Sequence, residues 1–484
     1  MEQPPRSLRP LPPEGAQSAA WDGPAPLTNA TERNARAPAS VGSDPVEARF
    51  LELARALHGA LHAGERYTAW LEAEASDFVR MNRGKVRQAG RVEQSVLRLR
   101  LIRGARHAEH VLTLAGDPGR DSVAAVDALA GLRIALPELA EDPHLMLPDD
   151  VVNTRDVRTG ALPPSGEAIE SVLDAARGED LVGFYASGPV YRGFANSEGQ
   201  RNWHAVSTFN CDWSLYHRAD KAVKAMYAGF EWSDAELNAR MLAARERLAL
   251  IARPPKSIEP GSYRAWLSPA AMEEVAGLLR WGGFSGRALA TKQSALTRMQ
   301  AGERLDARVT MYDDFAGSVA PRFQSEGFTR PARVPLIERG ELSGSIVSPR
   351  TAREFDISAN GGNGWESPEA LAMDGGTLDE VQVLPALDTG LYVGNLWYLN
   401  YSDRSACRMT GMTRFATFWV EGGRIVAPVD VMRFDDSLYR LLGAHLVDLS
   451  STPELILSSE SYGARQLSSV RLPGVLISEM TFTL

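Results

Sequence analysis

The chain has 484 residues, 44% of them hydrophobic and 23% charged, with a net charge of −9; this balance belongs to globular proteins and excludes disordered and fibrous classes. The acidic excess argues against a nucleic-acid partner, since such binding draws on clustered Lys and Arg. No apolar run approaches the roughly 18 residues that span a bilayer and no charged-then-apolar leader opens the chain, so no membrane contact and a cytoplasmic location are expected.

Residues 1–44 are rich in Pro, Ala and Ser without apolar periodicity, the composition of a disordered tail. From Pro45 onward Phe50, Leu53, Leu57 and Leu61 recur at helical spacing. Strands follow at Asp77 to Met81 and Lys85 to Gln88 around the turn Asn82-Arg83-Gly84. Leu97, Leu99 and Leu101 alternate with Arg98 and Arg100, which predicts a sheet with one wet face. Helices are expected at 122–132 and 166–177. The runs "LVGFYAS", "VYRGFAN" and "WHAVSTFNCDW" read as a meander with turns at Ser187-Gly188-Pro189 and Asn196-Ser197-Glu198-Gly199. Ser233 and Glu236 form a capping box for an amphipathic helix bearing Leu237, Met241, Ala244, Leu248 and Ile251.

The stretch "RPPKSIEPG" then interrupts all periodicity. A chain of this length predicts two domains, so the fold class is α+β: an N-terminal α+β domain over 45–252 with an antiparallel sheet and packed helices, a linker at 253–261, and a larger β-rich C-terminal domain over 262–484. After the linker, Ser268 caps a helix whose Met272, Val275, Ala276 and Leu279 form a buried stripe, and Gly282-Gly283 stop it. "GLYVGNLWYL", "MTRFATFWV" and "RIVAPV" are strand-like, the last two joined at Glu421-Gly422-Gly423.

Few residues carry obvious chemistry. His58 and His62 are four apart on the first helix with Glu65 beyond, a spacing that can hold zinc, but no third ligand is visible. His107 and His110 point to opposite faces of a strand and read as surface residues. Ser285, in "GFSG", lacks the GxSxG setting of a nucleophile and reads as a turn residue. "ANGGNG" at 359–364 does not pass from strand to helix, so it is neither a phosphate loop nor a dinucleotide fingerprint. The pairs Asp313-Asp314 and Asp435-Asp436 read as solvated or capping acids in loops, without a catalytic role. The aromatic and polar residues of "NLWYLNYSDRSACRMTGMTRFATFWV" could line a peptide groove or make an ordinary half-buried sheet.

Several segments together resemble the TldD/PmbA (TldE) proteins, a metallopeptidase family. They are "PGSYRAWLSPAAM", "FSGRALATKQSALTRMQAGERL", "MYDDFAGSVAPRFQSEGF", "LIERGELSGSIVSPRTARE", "ANGGN" with "MDGGTLDEV", "TGLYVGNL", "TGMTRFATFWVEGGRIVAPV" and "LPGVLISEMTF". TldD-type members carry HExxxH on a helix of the C-terminal half, where two His bind zinc and the Glu is general base. The matching stretch here, Leu278 to Ser285, reads "LLRWGGFS", and Glu273 and Glu274 before it have no His partners and read as surface residues. The resemblance implies a PmbA/TldE-like, non-catalytic subunit without a catalytic or metal-binding residue or cofactor of its own. It implies zinc in a TldD-like, HExxxH-bearing partner, a heterodimer or higher oligomer, and small or unfolded peptides as substrate. Trp397, Tyr398, Tyr401, Arg414 and Phe415 are the expected peptide-binding or chamber-lining residues, and Cys407-Arg408 depart from a segment usually richer in glycine. The alternatives are a homo-oligomeric peptide- or ligand-binding regulatory protein without protease activity, and an enzyme with an unconventional site using His58, His62 or Cys407. On the helix, Met272, Val275 and Leu279 should be buried, with Arg280 and Trp281 filling the space of a zinc site.

Overall fold

The computed structural model describes residues 44–218, 221–414 and 416–483; the expected tail over 1–44 lies outside them except for Asp44. That residue caps the first helix, α1 (Pro45–Gly59), by accepting a hydrogen bond from the Val46 amide. A seven-stranded sheet follows, built from β1 (Arg66–Asn82), β2 (Lys85–Arg103), β3 (Arg106–Thr113), β4 (Thr154–Arg158), β5 (Asp180–Asn196), β6 (Arg201–Arg218) and β7 (Lys221–Gly229). Its order is β3-β2-β1-β5-β6-β4, and β7 also pairs with β6. The helices α2 (Pro118–Ala135), α3 (Ser165–Ala175) and α4 (Asp234–Ile251) lie with α1 on one face.

Register explains that one-sidedness. β1 pairs with β2 and β5, and β5 with β6, so that even-numbered residues face even-numbered residues across nearly the whole sheet. Side chains alternate with period two along each strand. The odd set, including Tyr67, Leu71, Leu99, Tyr185, Phe209 and Trp213, therefore buries against the helices. The even face was expected to be wet. It is instead largely covered by the C-terminal half: Glu74, Arg192, Asn202, His204, Thr208 and Asn210 are all buried.

The expected turn at Ser187-Gly188-Pro189 does not exist, because β5 runs straight through it against β6. Gly188 is needed there for close approach. At φ +128°, a Cβ on it would stand 2.2 Å from the Ala75 carbonyl oxygen. The capping box is half formed: Ser233 accepts from the Glu236 amide, but Glu236 turns to Arg240, and the Ser233 amide donates to the Tyr227 hydroxyl instead.

Beyond residue 260 the chain forms two more sheets. One runs β11 (Glu341–Leu342), β10 (Arg333–Glu338), β9 (Met311–Asp314), β12 (Ala370–Met373), β21 (Ser469–Leu472) and β20 (Glu454–Leu457). The other runs β14 (Leu396–Asp403), β15 (Arg408–Thr413), β18 (Arg433–Ser437), β22 (Val475–Phe482), β8 (Gly261–Leu267), β13 (Gly390–Val393), β16 (Thr417–Glu421) and β17 (Arg424–Pro428), with β19 (Leu446–Leu449) on β22. Short helices α6 (Gly286–Ala290), α7 (Thr297–Gln300), α8 (Pro349–Phe355) and α9 (Val383–Leu387) fill the connections. "GLYVGNLWYL" is thus two strands, with β13 inside the sheet and β14 at its edge. "MTRFATFWV" likewise splits into β15 and β16, and the expected hairpin at Gly422-Gly423 joins β16 to β17.

The helix α5 (Pro269–Arg280) is central to the larger core. Ser268 caps it, accepting from the Ala271 amide and donating to the Gly394 carbonyl at 2.6 Å, which pins the helix start to the β13–β14 connection. Met272, Val275 and Leu279 are 1–3% exposed, as the apolar stripe predicts. No helix among the described residues is long and apolar enough to cross a membrane.

Candidate functional site

The segment from Ala316 to Arg330 fastens the C-terminal half to the even face. Arg158 donates to the Ser318 carbonyl, His204 Nε2 lies 2.9 Å from the Val319 carbonyl, and Gln200 donates to the Gly327 carbonyl. Phe323 meets Trp70 edge-on at 5.7 Å. Behind this segment is a small polar pocket lined by Asp313, Arg330, Asn360, Asn363 and Glu369. Asp313 was read as a loop acid, but it lies on β9, is 1% exposed, and accepts from the Glu369 and Ala370 amides. Burial pushes its carboxyl up to about 7. Asp436 is also buried on a strand, accepting from Ser437, Thr481 and Arg440. The "ANGGN" loop lines the pocket through Asn360 and Asn363, whose amides are all engaged by neighbouring backbone or by Glu369.

At the far end of the even face stand Asp212 of β6 and Lys224 of β7. Asp212 pairs directly across from Phe184 on one side and Met226 on the other, and Ser214 lies opposite Lys224. The Phe78 and Phe184 rings stack at 6.2 Å, half-buried on this face. From α5, Glu273 and Glu274 reach toward Lys224. They are half-buried rather than surface residues. Burial, reinforced by Glu274, pushes the Glu273 carboxyl up to about 7 against the opposing charge of Lys224. Burial also raises Glu274 and Asp212. Carboxylates leave water at a cost unless donors replace it, and Lys224 is the one cation common to these three acids.

The C-terminal end of α5 meets one of the expected aromatic residues. Tyr401 donates to the Leu278 carbonyl, and Arg404 lies over both the Tyr401 and Trp281 rings while donating to the Trp281 carbonyl. Arg414 stacks over Trp397 at 4.1 Å, and its charge is felt by Tyr216 on β6. Tyr398 is 74% exposed with φ +58°, where β14 and β15 slip register between Trp397 and Asn400. Such an irregularity re-aims side chains and ends clean pairing at a sheet edge. Three of the five expected residues thus lie on β14, which packs against α5, with Arg414 over Trp397, and Phe415 lies outside the described residues. Trp281 is 61% exposed, so it fills no interior space, and Arg280 reaches the Pro368 carbonyl.

The other candidates separate. His58 is exposed on α1, but the helix ends at Gly59, so exposed His62 is not on it. Glu65 is taken by Arg133 at 2.7 and 2.8 Å, which holds its carboxyl down at about 2. His107 sits near Asp142, and His110 is exposed. Ser285 caps α6 and donates to Glu366 at 2.6 Å. Cys211 and Cys407 are free, buried thiols. Asn210, Asp212 and Lys224 were missed. The signal for the first two is present in "FNCDWSLYHR", where polar residues alternate with Phe209, Cys211, Trp213 and Leu215.

Residues 260–484 match the PmbA/TldA metallopeptidase C-terminal domain as a family. Among solved structures the chain is similar to a proposed DNA gyrase modulator from Thermotoga maritima, at 14% identity and TM-score 0.71, covering 90% of this chain and 100% of that one. TldE from Thermococcus kodakarensis matches at 14% identity and TM-score 0.69 over 90% and 100%. A proposed gyrase modulator from Bacteroides thetaiotaomicron matches at 15% identity and TM-score 0.71 over 91% and 99%. These likenesses establish the fold. No curated protein matches.

Proposed function

As a member of the TldD/PmbA family through the PmbA/TldA metallopeptidase domain at residues 260–484, the chain is, we propose, a peptide-holding subunit without its own catalytic metal, working beside an HExxxH-bearing relative that supplies the zinc. The observation that carries this reading is the surroundings of α5. A zinc peptidase needs imidazole, thiolate or carboxylate donors converging with an open position. The end of α5 offers Leu278 to Ser285 without a histidine. Cys407, the thiol closest to Tyr401, is fully buried, and burial pushes it up to about 12, which disfavours a thiolate ligand. Among the described residues no group of three or more His, Cys, Asp or Glu is arranged to hold a metal ion. These residues do not fit zinc, and no step through a metal is assigned to this chain.

What surrounds the helix suits an extended peptide. β14 ends its sheet, leaving backbone groups that an added strand can pair with, while Trp397, Tyr398 and Tyr401 offer aromatic surface. The reading is tested by fluorescence anisotropy with a labelled, unstructured peptide. Wild-type chain is expected to bind, and Trp397→Ala and Tyr398→Ala each to weaken binding by about 5–10-fold, on the order of 1 kcal/mol. Binding unaffected by both substitutions would place the peptide elsewhere.

A further inference from the structure

We propose that the outer edge of β2, at residues 85–93, docks an acidic, extended segment of a partner protein, which adds to the sheet as a strand and seats an apolar side chain beside Leu114. The site lies in the N-terminal half and does not depend on the peptide-holding reading, which rests on β14.

Three observations carry it. The first is an open edge. β3 pairs with β2 only from Val96 to Arg103. Along residues 85–93 β2 therefore has β1 on one side and no strand among the described residues on the other, and every one of these residues is exposed. The Ser95 carbonyl points to the outer side, where it accepts from the Leu114 amide at 2.8 Å. Backbone groups alternate sides along a strand, so Glu93, Arg91 and Ala89 also turn their N–H and C=O groups outward. The regular run ends at Arg87, the extra residue of a bulge against β1. Such an edge is a template for another strand.

The second is charge. No acid stands between Asp77 and Glu93. Arg91 is neutralised by Asp77 at 3.3 Å and Glu93 at 2.7 Å. Arg80, Arg83, Lys85 and Arg87 are exposed and make no ion pair among the described residues. These cations repel a like edge, including that of a second copy, and attract an acidic strand. A nucleic acid would meet the cations but leave the alternating donors and acceptors of the edge unpaired, whereas a polypeptide backbone supplies both.

The third is a small pocket on the helix-covered face where β3 leaves the edge, lined by Phe50, Leu53, Leu71 and Leu114 with Arg49 and Ser95. Glu93 and Ser95 share that face. On an antiparallel added strand the residue opposite Glu93 stands next to Leu114 and points its side chain toward this pocket. The residues after it pass Arg91 and approach Arg87 and Lys85. The segment that fits has an aliphatic residue first and acids after it.

The test is fluorescence anisotropy of the full chain with three labelled peptides of one length: valine followed by alternating Glu and Thr, the same with Lys for Glu, and the first with its backbone nitrogens methylated. The acidic peptide is expected to bind about 10-fold more tightly than either other, and Lys85→Glu with Arg87→Glu to remove its advantage over the lysine peptide. Ala89→Pro should weaken the acidic peptide by a similar factor, since the N–H it removes faces outward. Trp397→Ala should leave this binding unchanged. Equal binding of the methylated peptide, or binding untouched by the charge-reversed variant, overturns the proposal. So does a single-stranded oligonucleotide that competes as well as the acidic peptide, or loss of binding in Trp397→Ala, which would place the peptide on β14. A dimer of the chain that Ala89→Pro dissociates would make the occupant a second copy and overturn it equally.

Discussion

Arg330→Ala should destabilise the protein by about 3–5 kcal/mol, the cost of removing one member of a buried ion pair and leaving the other uncompensated. Arg330 is 5% exposed and forks onto both oxygens of Glu369 at 2.9 and 2.6 Å. It also donates to the Gly361 and Pro321 carbonyls and lies over the Phe315 ring at 4.8 Å. One side chain therefore joins the "ANGGN" loop, the docking segment and the residue that leads into β12. Without it, Glu369 would stand beside Asp313 with no cation from its own half, and the Asn363 amide and the charge of Arg192 would be its remaining attractions. Arg330→Lys keeps the charge but not the planar fork, so it should recover only part of the loss. Denaturant midpoints for the three proteins decide the matter. An alanine variant within about 0.5 kcal/mol of wild type would mean that this pair does not hold the docking segment to the loop and strand beside it.

Glu273→Gln should act in the opposite direction, and only on the alkaline side. The ordinary carboxyl value is 4.5 and the folded value about 7. As pH rises from 4.5 the unfolded chain ionises while the folded one stays protonated, so stability falls until about pH 7 and is level above it. Glutamine does not ionise and escapes this loss. Because the side chain is half-exposed, solvent screening reduces the full effect, and a gain of about 1–2 kcal/mol at pH 8 with little change at pH 4 is expected. Melting curves across that pH range check it. A constant difference between variant and wild type would show that Glu273 is not held out of water.

Much of the fold was legible because the local signals were strong. The caps Ser233 and Ser268 act where their sequence context placed them, and the stripe Met272-Val275-Leu279 is buried. The alternation of Leu97, Leu99 and Leu101 gave the helix-covered face correctly. What the opposite face meets was not legible, because its cover comes from residues more than a hundred positions away: Arg100 pairs with Glu326, and Arg465 donates to Thr208. For the same reason Glu273 and Glu274 looked like a solvated helix face. Their neighbours Asp212 and Lys224 belong to another sheet, and no periodicity within α5 records that. Ser187-Gly188-Pro189 misled in another way, since turn-forming residues also serve where two strands approach too closely for a side chain. The aromatic residues were singled out by the composition of their segment, but their place on an edge strand is a fact of sheet order that the segment does not record.

The most direct measurement is peptide cleavage by the purified chain alone, by an HExxxH-bearing relative from the same genome alone, and by the two mixed, each with and without a chelator. The account predicts no cleavage by this chain, cleavage by the mixture that the chelator abolishes, and weaker cleavage by the mixture when Trp397 is replaced by Ala. Chelator-sensitive cleavage by this chain alone would contradict it.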